Sequence, residues 1–131
     1  MEIDREEKAS DVEGDSIDLI SIDDSGYVVL HLLVKGAWAD PEKLLHWVRR
    51  RLNLYIGFVL SGQMHENPKY RDRKAKFLLH IEFLPPPIAF ETFARMKLHL
   101  LGRQITFGVT IGQNVKAEVP LPEPASGVEF R

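Results

Sequence analysis

A chain of 131 residues has room for one domain around one core. Its net charge of −2 selects neither a polyanion nor a polycation as partner, and the lack of cysteine removes disulfides, thiolate nucleophiles and Cys-based zinc sites. No apolar leader opens it and no run reaches the roughly 18 apolar residues of a membrane span, so a reducing cytoplasm and no membrane contact are expected.

Charge is unevenly placed. Residues 1–24 hold ten acids against two bases, whereas residues 41–76 hold nine bases against three acids. Residues 1–15 are acidic and aperiodic and read as a mobile tail. A β-hairpin follows from Ser16 to Val34, with DDSG as its turn. In its second strand Val28, Leu30, Leu32 and Val34 share one face, and Val29, His31, Leu33 and Lys35 the other. Apolar residues on both faces mark a strand interior to its sheet.

The longest helix is expected from Asp40 to about Gln63. Leu44, Val48, Leu52, Tyr55 and Val59 recur at helical spacing, widened by Leu45, Ile56 and Leu60. Asp40 suits the N-cap, Pro41 the first turn and Gly62 the exit, while Trp38 is placed to pack back over the first turn as a staple. Residues 64–75 read as a polar, basic connection. Lys76 to Phe83 alternates as a third strand, with Phe77, Leu79, Ile81 and Phe83 inward. Pro85–Pro87 ends it, and a second helix runs from Ile88 to Leu101 with Phe90, Phe93, Ala94, Leu98 and Leu101 inward. A fourth strand, Ile105 to Ile111, places Ile105, Phe107, Val109 and Ile111 in the core row, and residues 113–131 form a Pro-rich irregular tail.

The order ββαβαβ implies right-handed crossovers, so strands two, three and four should be parallel with both helices on one side. The expected fold is an α+β or α/β two-layer sandwich over residues 16–112, a mixed four-stranded sheet with two helices on one face. The uncovered face, carrying Val29, Leu33, Leu78, His31 and His80, is apolar enough to need a tail or a second subunit.

The chain carries, in order, Ile17-Asp18, then Trp38 ahead of the helix, then Asn53, Tyr55 and Ser61-Gly62. Over roughly residues 16–112 the chain resembles a small bacterial domain family of unknown function. The Lys35-Gly36-Ala37 segment departs from the acidic run that often precedes that tryptophan. The resemblance implies the fold and a bacterial cytosolic setting, and brings no catalytic residue.

Three groups of side chains could carry function. His31 and His80 share the outer face with Glu82, which would allow a transition-metal site or two ordinary surface histidines; no metal and no cofactor is expected. Arg49, Arg50 and Arg51, with the basic loop, could bind anions or RNA, but consecutive helical arginines fan apart and nucleic acid is not the expected partner. Asn53, Tyr55, Ser61 and Gln63 are polar material in an apolar helix, able to bind a ligand or simply to satisfy backbone groups. Gly57 is taken to permit close packing. No Ser-His-Asp spacing or Gly-rich phosphate loop marks catalysis.

The expected function is a non-enzymatic interaction module binding a protein partner, or itself through the outer sheet face. Candidate binding residues are Trp38, Asn53, Tyr55, Arg50, His31 and His80. Two alternatives stand. One is a small-ligand binder or enzyme with a pocket at the C-terminal ends of the parallel strands, near residues 35–38, 82–86 and 111–113. The other is a toxin-immunity-type protein.

Overall fold

The computed structural model describes residues 17–112 and 118–122. The acidic segment 1–15 and most of 113–131 lie outside the described residues. The elements are β1 (Leu19–Ile22), β2 (Val28–Val34), α1 (Pro41–Leu60), β3 (Ala75–Ile81), α2 (Pro87–Leu101) and β4 (Thr106–Ile111). Two short 3-10 turns, Met64–Glu66 and Pro68–Tyr70, lie between α1 and β3. The sheet order is β1-β2-β3-β4; β1 is antiparallel to β2, and β2, β3 and β4 are mutually parallel. This is the mixed sheet that the ββαβαβ order implies.

The alternating rows decide which face is sealed. Val28, Leu30, Leu32 and Val34 of β2, Phe77, Leu79 and Ile81 of β3, and Phe107 and Val109 of β4 are buried in one core with Val48, Leu52 and Tyr55 of α1 and Phe93, Met96 and Leu100 of α2. The two helices lie side by side on this face, Leu52 and Ile56 meeting Met96 and Leu100 around a small gap. Tyr55 meets Phe77 edge-on with ring centroids 5.7 Å apart. Burial of this aromatic and aliphatic surface is the main source of stability.

Local chemistry fixes the connections. In the hairpin Asp23 accepts from the Ser25 and Tyr27 backbone N–H groups, and Gly26 takes φ +89°, a value L side chains rarely adopt. Asp40 caps α1, accepting from Lys43 N at 3.2 Å, and Gly62 at φ +89° turns the chain out of it.

Several expectations need correction. Phe83 lies beyond the end of β3 and is 48% exposed, because the strand stops before the proline run. In α2 the phase is partly shifted: Phe93 and Ala94 are buried as expected, Ala89, Thr92, Met96 and Leu100 are buried as well, and Leu98 and Leu101 are 55% and 57% exposed. Thr92 can face the core because its hydroxyl donates to Ile88 O at 3.2 Å. Leu60 is exposed at the end of α1. The connection 64–75 is not wholly polar, since Met64 and Tyr70 plug the end of the core. Gly57 faces open space, so it is not a packing glycine.

Residues 118–122 form neither helix nor strand but return along β4, Val119 N donating to Val109 O at 2.8 Å. Glu118 lies over Gly108 on the outer face and pairs with Lys76. Part of the apolar outer surface is therefore covered by the chain's own C-terminal region.

Candidate functional site

Two features stand out on the side of the sheet away from the helices and at its edge. The first is a polar line across all four strands. Side chains two apart in a strand share a face, so Ser21, His31, His80 and Thr110 all project from the outer face. In the parallel register His31 is opposite Leu78 and His80 opposite Leu33, which makes the two histidines diagonal neighbours. Ser21 Oγ lies 2.8 Å from His31 Nε2, His31 Nδ1 lies 2.7 Å from His80 Nε2, and His80 Nδ1 lies 3.0 Å from Thr110 Oγ1. The imidazole centroids are 5.0 Å apart and their planes differ by 10°. With facing nitrogens this close, the rings meet edge to edge rather than stacking face on face.

All four ring nitrogens are thus engaged. Burial, then His80 and then Lys76, push His31 down to about 4, and burial lowers His80 as well. Both rings are neutral at pH 7. The line can then run in either direction: every member donates toward Thr110, or every member donates toward Ser21. One added proton fits, since both end hydroxyls can accept. A second would set N–H against N–H.

This geometry does not assemble the metal site that His31, His80 and Glu82 could have formed. The histidine nitrogens face each other, and Glu82 Oε1 accepts from Gly36 N at 3.0 Å beyond the strand end. Among the described residues no group of three or more His, Asp or Glu is placed to hold a metal ion.

Asp18, Arg51 and Tyr55 close the edge of the sheet where β1 departs from β2. The Tyr55 hydroxyl donates to His31 O at 2.8 Å and accepts from Asp18 N at 3.3 Å, so a phenol from α1 replaces a rung between the two strands. Asp18 Oδ2 accepts from Leu33 N at 2.9 Å, and its other oxygen faces Arg51 Nη2 at 3.7 Å. The Arg51 guanidinium also lies 5.8 Å from the Tyr55 ring centroid. Burial raises the Tyr55 phenol to about 12. Arg51 is therefore buried at the sheet edge, and Tyr55 is a core residue with a polar tip.

The second feature is an open groove of about 610 Å³ where β2 outruns the short β1. Leu33, Ala37, Leu44 and Trp47 line it, with Lys35 and Lys43 beside them. Asp40 also borders it, its carboxylate committed to the α1 cap. Ligand sites commonly fall between about 300 and 1,000 Å³. Trp38 is not among the residues that line this groove: its indole donates to Phe83 O at 3.0 Å and meets Phe93 edge-on.

The structure thus joins His31 to His80, and uses Tyr55 and Trp38 as fasteners. Arg50 is exposed on α1, and Asn53, also exposed, borders the gap between α1 and α2; both lie away from the histidine line. The basic residues disperse too, Arg73 binding Gly26 O and Lys69 O while Lys76 pairs with Glu118. Ser21, Thr110 and the groove residues Lys43 and Trp47 were not singled out from sequence. Ser21 alternates with Leu19 in a strand pairing with β2, which places it on the histidine face once the register is known.

Among the described residues no helix is long and apolar enough to cross a membrane. No curated protein and no solved structure matches the chain. The sequence of residues 9–113 matches a family of unknown function (DUF6572), and the chain belongs to that family.

Proposed function

We propose that the chain is a binding module that holds a short segment of a partner protein in the groove beside β2. The observation that carries this reading is an apolar floor, Leu33, Ala37, Leu44 and Trp47, flanked by Lys35 and Lys43 at the N-terminus of α1. Such a surface suits an extended segment with apolar side chains and carboxylates: the apolar groups gain by leaving water, and the lysines and helix N-terminus favour negative charge. The groove is preferred to a homodimer through the outer sheet face because Glu118, held by Lys76, lies over Gly108 on the β4 side of that face. A toxin held by an immunity-type protein would be one case of such a partner.

Titration with a short peptide alternating leucine and glutamate tests the reading. Amide and indole NMR shifts should move at Leu33, Lys35, Lys43 and Trp47, and more weakly with a leucine–lysine peptide. Trp47→Ala and the pair Lys35→Glu with Lys43→Glu should each weaken binding several-fold. Shifts confined to other surfaces, or none at millimolar peptide, would reject the groove.

A further inference from the structure

We propose that Ser21 is an acyl-accepting nucleophile, with His31 as its base and His80 as the residue that positions that base, acting on small ester or phosphonyl electrophiles. The proposal is independent of the groove. It rests on the relation among three side chains: hydroxyl to ring nitrogen 2.8 Å, then the same ring's other nitrogen to a third group at 2.7 Å. A nucleophile within hydrogen-bond reach of a base, and a third group orienting that base, is the arrangement that serine acyl transfer requires.

The sheet holds this arrangement from both ends. Thr110 is fully buried and anchors the far nitrogen of His80 at 3.0 Å. With His80 donating to Thr110 and accepting from His31 Nδ1–H, the Nε2 lone pair of His31 is aimed at Ser21. Both rings are neutral at pH 7, so the base is in its competent form. Ser21 itself is half-buried on the edge strand, beside the exposed Leu19, where a short apolar acyl group could lie. The nearby charges are Lys76 on β3, paired with Glu118, and Asp18 at the start of β1, paired with Arg51.

The step balances without an added reagent. Ser21 Oγ bonds to the carbonyl carbon as its hydroxyl proton passes to His31 Nε2. The charge is shared with His80 by movement of the Nδ1 proton along the 2.7 Å contact. The ester C–O bond breaks, and the leaving alkoxide takes the proton from Nε2. Water repeats the sequence to free the serine.

The test is to treat the full-length protein with a serine-directed fluorophosphonate, and separately with p-nitrophenyl acetate, and to locate the adduct by peptide mass. One adduct on Ser21 is expected, lost in Ser21→Ala and slowed at least about 100-fold, the low end of a positioned base's contribution, in His31→Gln. Thr110→Val, which leaves the Ser21–His31 contact, should slow labelling less. In His80→Gln the pH profile should shift as well as fall, which a merely structural change would not produce. The wild-type rate should stay level from neutral pH down to about 5 and drop as His31 takes its proton near 4. Absence of an adduct on the wild-type protein, equal labelling of Ser25 or Ser61, a rate simply proportional to hydroxide, or undiminished labelling of His31→Gln would each overturn the proposal.

Discussion

The two faces of one sheet follow different rules here. The helix-side face is a field of aliphatic and aromatic side chains with the helices laid over it, held by burial that has no direction. Among the described residues the outer face has no helix over it, and it carries a line of directed hydrogen bonds from Ser21 to Thr110. Non-directional burial tolerates variation in which apolar residue sits where, provided volume is kept. A directed line does not, since each member needs a partner of the right kind at one distance. The helix-side face therefore accounts for stability, and the outer face for specificity of position.

Cutting into the helix-side face should have the largest effect. Phe77→Ala should cost about 3–5 kcal/mol by denaturant unfolding, because Phe77 is fully buried against Tyr55. A loss below about 1 kcal/mol would mean that this face is not the core. On the outer face, Gly108→Ala puts a methyl group into the Glu118 carboxylate and 3.2 Å from Leu78 Cδ1. It should release Glu118 from Lys76, visible as changed amide shifts at Val119, at a cost of only about 1 kcal/mol, because the half-exposed glutamate can swing aside.

Tyr55→Phe joins the two faces, because it leaves the ring in the core and removes only the hydroxyl between Asp18 and His31. A loss of about 1–2 kcal/mol is expected from the stranded backbone groups, and no loss would show that water replaces the phenol. The histidine line supplies a pH dependence. His31 is lowered from 6.5 to about 4, so the unfolded chain binds its proton first. Its contribution is complete above pH 6.5 and is lost as pH falls toward 4. The same unfolding series in His31→Gln should lack that part of the slope. Gly57→Ala adds a methyl group where it meets nothing, and should raise stability by about 0.5–1 kcal/mol. A loss there would mean that the α1 surface is occupied.

How much of this was readable from sequence follows the same division. Period-two alternation in β2, β3 and β4 identifies the helix-side face apart from Phe83, which lies past the end of β3, because every inward position within the strands is apolar. The α2 phase was not readable: Ile88, Ala89, Phe90, Phe93, Ala94, Met96, Leu98, Leu100 and Leu101 surround the helix, so periodicity cannot choose a side, and Thr92 hides its hydroxyl on its own backbone. Sequence placed His31 and His80 on one face but not in contact, since diagonal contact depends on the β2–β3 register. Sequence places Tyr55 in the core stripe and allows it to satisfy backbone groups, but it cannot name the partners of Tyr55 and Arg51, because His31 and Asp18 lie more than twenty positions away along the chain.

The phenol of Tyr55 has a mechanical consequence. It is rooted in the long helix yet serves as a rung between the outermost strand and its neighbour. A border strand of four residues would ordinarily fray by itself. Here the start of that strand is pegged from behind, so lifting it breaks a hydrogen bond to a phenol rooted in the core as well as the strand's own ladder. The weakest margin of the layer thereby shares the fate of its strongest support.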